Sequence, residues 1–405
     1  MNVSQWLYIS ILNTFFIAYL GFKNNLEIKK VLKNKSFLFF SLFFLFSIIS
    51  VIKSINYAES ISRLNEFFAI FCSLFLLLNF YLQKALNSKF ILILFSFALG
   101  LEVLGSLNQY RLINSYTDFN FSMSNEIRGF TGNKNVAAAS VAFKIPFLII
   151  LFDMVKSYKL IKKIFLFIIL TASFYVIMLY SARAVFLSIS LTIVSLIFLI
   201  SFKRFLFGQK ITFSLDLKQI FLYISPLILA FIIFSSKYNG SERIAVDNRI
   251  QSIVSNAGDQ SIGQRLRFYG HSLESIKSNP IFGVGVGQWK IYSIKYDANN
   301  MYSYVVPFFA HNDFLEIFAE IGVFGFLFYL LFFFLIFRLN WQIIKDWILN
   351  NHKFSSGIIC LSPLLIYFID ANLNFPLSRP IMQVQLLLYI VLIYYFNSSK
   401  EHENR

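Results

Sequence analysis

A histidine and a group of acidic and amide side chains open one apolar segment of this sequence. The run His311-Asn312-Asp313 is followed by Glu316 and Glu320. Asn312, Glu316 and Glu320 are separated by single helical turns, so they share one face of a helix. Carboxylates are costly within a membrane helix and normally face a protein interior or a water-filled cavity. An imidazole at the mouth of such a helix can accept a proton near neutral pH, so His311 is a candidate general base.

Ordinary structural roles compete with this chemistry for the same residues. Asn312 and Asp313 are of the types that cap the N-terminus of a helix. A single histidine is more often structural than catalytic, so a catalytic His311 needs support from its surroundings.

Four arginines lie in or next to the segments that could carry chemistry. Arg183 lies in a tight turn between two apolar segments, either as an interfacial anchor or as a fork that binds phosphate oxygens in a bidentate manner. Arg265 lies in a polar stretch, Arg128 opens the run RGFTGNKN, and Arg379 lies near the end of DANLNFPLSRP. Lys144 lies about two turns inside an apolar segment, where it either snorkels outward or serves a polar interior.

The polar stretch must form a helix if it is to position Arg265. Residues 262–276 predict an amphipathic helix that Asn279-Pro280 ends. Arg265 borders its predicted buried stripe, whereas Arg267 and His271 point away from it. The stripe consists of Ile262, Leu266, Tyr269, Leu273 and Ile276.

A glycine-rich run follows this helix. Gly283-Val284-Gly285-Val286-Gly287 is not a phosphate-binding fingerprint, because no strand–loop–helix unit surrounds it. We expect a tight loop in which glycine lets one backbone approach another.

The composition is that of a membrane protein. Of 405 residues, 57% are hydrophobic, 52 are phenylalanine and 14% are charged. Soluble domains have roughly 25% charged residues. The net charge of +16 is concentrated in short loops between apolar segments, which favours membrane topology over nucleic-acid binding. Cys72 and Cys360 both fall within apolar segments, so they predict neither a disulfide framework nor a metal site.

Eleven apolar segments predict an all-α polytopic bundle of about 11–12 membrane helices, within a single membrane domain that covers residues 1–405. The first segment lacks the basic n-region and cleavage site of a signal peptide, so we expect it to be a retained span. The predicted spans are Trp6–Phe22, Phe37–Ile52, Glu66–Leu82, Phe90–Leu107, Asn135–Phe152, Ile164–Ser181, Ala184–Phe202, Gln219–Ser236, His311–Phe337, Ser355–Ala371 and Pro380–Phe396.

The distribution of lysine and arginine predicts the orientation of the chain. Loops at residues 23–35, 156–163 and 203–218 are rich in these residues, and the positive-inside rule places them in the cytoplasm. Opposing short loops are poorer, and one of them contains Arg63. Residues 237–310 then form a large periplasmic loop with short amphipathic helices, whose eight lysines and arginines serve either solubility or an anionic substrate.

The order of these motifs resembles the shared domain of bacterial O-antigen ligases and O-antigen polymerases. The matching runs are SARAVFLS, QRLRFYGHSL with SNPIFGVGVGQW, and HNDFLEIFAEIGVFG, and the resemblance covers residues 128–380. Tyr269 stands where tryptophan is more usual in the family. The positions that fill the family pattern are Arg265, Tyr269, Leu273, Pro280, Gly283, Gly285, His311, Asn312, Leu315 and Gly322.

This resemblance implies an inverting, metal-independent glycosyltransferase with a GT-C-like helical architecture and no cofactor. Arg183 and Arg265 would hold the diphosphate of the donor, and His311 would be the base or orienter for the acceptor hydroxyl. Additional candidate site residues are Arg128, Asn312, Glu316 and Arg379.

The implied donor is a glycan on undecaprenyl diphosphate, and the site is expected to face the periplasm from the bacterial inner membrane. The favoured acceptor is the lipid A core, which makes the protein an O-antigen ligase. A polymerase that extends lipid-linked repeats and a protein O-oligosaccharyltransferase are the alternatives within the family. A transporter or flippase for the polyprenyl-linked glycan is the alternative from a different class. Membrane lipids are expected partners, and nucleic acid is not.

Overall fold

The structure is a computed structural model, which describes residues 2–116, 121–154, 160–207, 210–237, 260–298, 307–350 and 361–403. These residues form helices and connecting turns without a β-strand, which confirms the predicted all-α polytopic membrane bundle. Nine of the described helices are long and apolar enough to cross a membrane. Shorter apolar helices, Ile224–Ser236 and Leu361–Leu373, lie at the two remaining predicted spans.

The helices are numbered in chain order. They are α1 (Asn2–Phe22), α2 (Ile28–Leu32), α3 (Lys35–Ser50), α4 (Tyr57–Leu82), α5 (Ser88–Tyr116), α6 (Lys134–Met154), α7 (Leu160–Tyr180), α8 (Arg183–Phe207), α9 (Lys210–Lys237), α10 (Gln260–Ser278), α11 (Trp289–Asp297), α12 (Asp313–Asn350), α13 (Leu361–Leu373) and α14 (Pro380–Glu403). Short 3-10 turns are Val51–Lys53, Phe121–Asn125 and Pro376–Ser378.

The chain folds into two compact units, and each draws on separate parts of the sequence. The first unit comprises Met1–Leu86, Gly258–Leu339 and Ala371–Val391. The second unit comprises Asn87–Ala257, Asn340–Asp370 and Leu392–Arg405.

Aromatic side chains build much of the core of the first unit. Phe43 packs against Phe67 and Tyr329 with ring centroids 5.1 Å apart in each pair. Phe40 packs against Phe332 at 5.4 Å. These contacts join α3 and α4 to α12, so the helix that begins beside His311 is held by the phenylalanine-rich core.

Stacked rings and one ion pair join α5 to α6 in the second unit. Phe95 stacks on Phe147 with centroids 4.0 Å apart. Lys144 Nζ lies 2.9 Å from each carboxylate oxygen of Glu102, and the Ser140 hydroxyl donates to the same carboxylate. Lys144 therefore serves a polar interior, and the snorkelling alternative is wrong.

A break in α12 lies close to the candidate site in sequence. Gly322 has φ 78° and ψ −173°, which is not a helical conformation. The break leaves carbonyl groups without their usual helical donors. The carbonyls of Ala319 and Glu320 instead accept hydrogen bonds from the N–H groups of Val284 and Gly285, at 2.9 Å each.

The glycine-rich run is thus a loop whose N–H groups bond to the carbonyls at the break in α12. The predicted close approach between two backbone segments is confirmed. A Cβ on Gly322 would collide with the carbonyl of Ile281, and a Cβ on Gly283 would collide with the backbone of Glu320. Both glycines also have positive φ angles, which other residues rarely adopt.

Candidate functional site

His311 lies immediately before α12 in a left-handed backbone conformation, with φ 57°. Its imidazole is nearly parallel to the Phe268 ring at 6.3 Å and meets the Phe375 ring edge-on at 5.1 Å. Its Nδ1 is buried and has no hydrogen-bond partner in the described part of the chain. The aromatic walls fix the ring and leave one nitrogen unused by the protein.

The surroundings of His311 keep its imidazole neutral at pH 7. Burial, followed by the positive charges of Arg265 and Arg379, lowers the pKa of His311 to about 4. A neutral imidazole can accept a proton, which a protonated one cannot. An anion bound by the two guanidinium groups would offset their charge and raise the pKa of His311 again.

Tyr269 ties α10 to the His311 segment. Its hydroxyl donates to the carbonyl of Asn372 at 2.9 Å and lies 3.3 Å from the carbonyl of His311. Burial raises the pKa of Tyr269, so its hydroxyl keeps its proton. Arg265 lies one helical turn before Tyr269, and its charge acts on both Tyr269 and His311. The structure therefore brings Arg265, Arg379 and His311 together.

The predicted buried stripe of α10 is wrong in part. Leu266 and Leu273 are 63% and 48% exposed. The buried face instead contains Phe268 and Ser272, and the Trp289 indole donates to the Ser272 hydroxyl at 2.8 Å. Small serines can be buried because their hydroxyls bond to carbonyls of their own helix, as the Ser272 hydroxyl does to Phe268. An apolar stripe alone cannot reveal such a face.

His271 and Arg267 flank a buried carboxylate, that of Asp297. Arg267 Nε and His271 Nε2 lie 3.7 Å and 3.8 Å from its Oδ1. Burial is the largest cause that lowers the pKa of His271, and the charge of Arg267 acts in the same direction.

Asn312 and Asp313 both hold backbone groups. The Asn312 side-chain oxygen accepts from the N–H of Leu315 at 3.0 Å, as a helix cap does. The Asp313 carboxylate accepts from the N–H of Leu377 at 2.9 Å. Asp313 therefore joins the start of α12 to the turn that precedes Arg379.

Glu316 and Glu320 are buried, and both accept hydrogen bonds from backbone N–H groups. Glu316 Oε2 accepts from Ala310 at 2.8 Å. Glu320 accepts from Gly287 and Trp289 at 2.8 Å and 2.9 Å. Both carboxylates face the protein interior, and each holds a loop that leads into or out of the site.

Arg63 is a residue that sequence analysis missed. It was placed in a short loop, but it lies in α4 and is only 8% exposed. Its guanidinium lies 2.6 Å from Glu66 and 3.3 Å from Glu316, and it also contacts the hydroxyl of Ser378. The sequence signal for this placement was the start of the helix, because Asn56 caps α4 about two turns before Arg63.

Arg379 follows Ser378 directly and precedes α14. Its guanidinium lies over the Phe375 ring at 4.4 Å, a cation–π contact with the same ring that meets His311. Phe375 therefore lies between the base candidate and an anion-binding candidate.

Arg183 and Arg128 belong to the second unit. Arg183 is the first residue of α8 and is half-buried, after a turn in which Ser181 has φ 52°. Arg128 is exposed, and its backbone N–H donates to Gln109 at 3.1 Å.

Part of the chain is similar to one known protein family. The family model described as O-antigen ligase matches residues 165–330, which include Arg183, Arg265 and His311. Arg63, which contacts Glu316, lies outside the match. No curated protein shows a significant match to the chain. Members of the matched family are glycosyltransferase-like enzymes. The match covers less than half of the chain, so this multi-pass membrane protein is similar to the O-antigen ligase family over residues 165–330.

Proposed function

We propose that the protein is an O-antigen ligase, which transfers a glycan from undecaprenyl diphosphate to a hydroxyl group of the lipid A core. The observation that carries the proposal is the neutral His311 imidazole, buried beside the charges of Arg265 and Arg379. The family match includes His311 and Arg265, and it supports the same reaction class. We place the site on the periplasmic side of the bacterial inner membrane, as the lysine-rich loops predict.

The chemistry needs a base for the acceptor and positive charge for the leaving group. The acceptor oxygen attacks the anomeric carbon, and the bond from that carbon to the diphosphate oxygen breaks. The diphosphate leaves with the bonding electron pair, while the hydroxyl proton passes to His311. Fixed guanidinium groups stabilise the charge that develops on the departing oxygens. Attack from the opposite face inverts the anomeric centre.

Arg265 and Arg379 are the proposed anion ligands of the first unit. Burial is the largest cause of the low pKa of His311, and the charges of Arg265 and Arg379 lower it further. A diphosphate bound there would offset the contribution of the two charges, so donor binding would make His311 a stronger base. Arg183 is also proposed as a diphosphate ligand, on the family resemblance alone. Arginine side chains are the proposed source of positive charge. Among the described residues there is no group of three or more His, Cys, Asp or Glu that could hold a metal ion.

Purified protein in proteoliposomes tests this function directly. We expect His311→Ala to lower transfer from a polyprenyl-diphosphate glycan to lipid A core by roughly 100- to 10,000-fold. Lys277→Ala is the matched control, because Lys277 pairs with Glu274 on an exposed surface. Near-normal transfer by His311→Ala would refute the role of His311, and transfer that needs added metal after EDTA treatment would refute the metal-free mechanism.

The acceptor is tested by the lipopolysaccharide of a deletion strain. A ligase defect gives bare core together with accumulated long lipid-linked chains. Core that carries a single repeat would contradict the ligase assignment and would instead identify a polymerase.

A further inference from the structure

A single buried guanidinium contacts the two segments that carry His311 and Arg379. Arg63 reaches Glu316, whose other oxygen accepts the N–H of Ala310 at 2.8 Å. Ala310 is fully buried and precedes His311 directly. The Glu316 carboxylate thus connects the Arg63 guanidinium to the backbone that directly precedes His311.

The second contact of Arg63 leads to Arg379. Its guanidinium donates to the Ser378 hydroxyl, and Ser378 is the last residue of the turn before Arg379. The parallel contact between Asp313 and the N–H of Leu377 fixes the same turn against the start of α12. Two polar contacts, to Leu377 and to Ser378, therefore hold the turn that directly precedes Arg379.

From these contacts we infer that Arg63 is a positioning residue, which sets His311 and Arg379 at the separation that glycan transfer needs. The inference rests on the proposed function. Arg63 does not itself need to touch the substrate, since its guanidinium is occupied by Glu66, Glu316 and Ser378.

The shape of the side chain explains why arginine occupies this position. A guanidinium is planar and directs five N–H groups along fixed directions, whereas an ammonium group is a compact charge on a flexible stem. Arg63 contacts three partners, on α4, α12 and the turn before α14, through two nitrogens whose directions the guanidinium fixes. The Arg63 guanidinium also makes a cation–π contact, with its Cζ 4.9 Å from the centroid of the Phe67 ring.

The central experiment compares Arg63→Lys with the wild type in the same proteoliposomes. Lysine keeps the charge and loses the fork, so we expect a folded protein whose kcat is lower by about 10- to 100-fold, as displacement of reacting groups by about 1 Å can cause. The KM for the donor should change much less than kcat. Wild-type kcat in Arg63→Lys, or a loss no larger than the loss of folded protein, would overturn the inference.

Two further variants keep the test decisive if lysine is poorly tolerated. Arg63→Met with Glu316→Leu replaces the pair by apolar side chains of similar size. Ser378→Ala removes the hydroxyl that Arg63 contacts in the turn before Arg379. We expect the double variant to fold with low kcat and Ser378→Ala to lose several-fold in kcat. Full activity in either folded variant would overturn the inference, whereas inactive His311→Ala beside active Arg63 variants would leave the proposed function intact.

A readout without any glycan separates this inference from the proposed function. Carbethoxylation of His311, followed by peptide mass spectrometry, measures how much of its imidazole is neutral. In the wild type we expect the reaction to persist between pH 7 and pH 5, since the pKa of His311 is about 4. In Arg63→Lys the reaction should fall over that range, because a displaced ring is less buried and lies farther from Arg265 and Arg379. An unchanged profile would contradict a positioning role even if transfer proved undetectable.

Discussion

The two units of the molecule each bury charged side chains within apolar helices, but they connect them differently. In the second unit, Lys144 and Glu102 form a pair with Ser140, and these three residues lie on α5 and α6. In the first unit, Arg63 and its carboxylate partners extend to the backbone of loops. A buried charge must find a partner in either case. The Lys144–Glu102 pair therefore joins two helices. The network around Arg63 instead contacts the segments that carry the candidate site residues.

The largest expected effect is a loss of stability when the Lys144–Glu102 pair of the second unit is broken. Variants of this pair test whether its role is only structural. Lys144→Met should destabilise the protein by about 3–5 kcal/mol, because it leaves the Glu102 carboxylate buried without its cation. Glu102→Leu combined with Lys144→Met should restore most of the lost stability. Unfolding in mixed detergent measures both.

The contrast with the first unit lies in the activity of the double variants. We expect transfer to stay near the wild-type rate in the Glu102 and Lys144 double variant, unlike the Arg63 and Glu316 double variant. A folded but inactive second-unit variant would remove the distinction between the two networks.

The glycine loop offers the next largest effect. Gly322→Ala must adopt a left-handed conformation, which costs roughly 1–2 kcal/mol, and its Cβ also collides with the carbonyl of Ile281. Gly270→Ala is the matched control, because a Cβ there meets open space within α10 and should stabilise the helix by about 0.5–1 kcal/mol. Thermal unfolding compares the two variants. Equal midpoints would contradict the close packing of the loop on α12.

Protonation of His311 should make the stability of the protein depend on pH, and this effect is smaller than that of Gly322→Ala. The unfolded chain protonates His311 near its ordinary pKa of 6.5, whereas the folded protein does so only near pH 4. Because the unfolded state binds more protons between these values, stability is full above pH 6.5 and falls as the pH drops towards 4.

His311→Gln should flatten this loss, which we expect to be on the order of 1 kcal/mol between pH 7 and pH 5. A smaller slope should persist in the variant, since the pKa of His271 is lowered as well. An identical slope in wild type and variant would show that His311 is not buried as described.

Two tyrosine hydroxyls provide the finest comparison. Tyr180 bonds with Ser106 in the second unit, and Tyr269 bonds near His311 in the first. Removing either hydroxyl by Tyr→Phe should cost about 1 kcal/mol of stability. Only Tyr269→Phe should also lower kcat, by several-fold. A kcat change confined to Tyr180→Phe would reverse the roles that we assign to the two units.

Local sequence rules predicted several of these features because they depend on near neighbours. The apolar segments predicted the bundle, and the glycine run predicted a loop with close backbone contacts. The capping role of Asn312 was among the structural alternatives, and the structure shows the cap.

Features that depend on distant residues were missed or left open. Arg63 contacts Glu316 and Ser378 across more than two hundred residues of sequence, so no local pattern could pair them. The choice between snorkelling and a polar interior for Lys144 required the position of Glu102 on another helix. The buried face of α10 was mistaken because Ser272 is buried there while Leu266 is exposed.

The break at Gly322 couples two stretches of chain that would otherwise open separately. Residues 280–285 supply the hydrogen bonds that the interrupted helix lacks, and Val323 in turn donates to the carbonyl of Pro280. Neither stretch can leave its place without exposing polar backbone groups of the other. The amide hydrogens of the two stretches should therefore exchange together, as one cooperative unit. A fluctuation large enough to open this unit should also open the N-terminal part of α12.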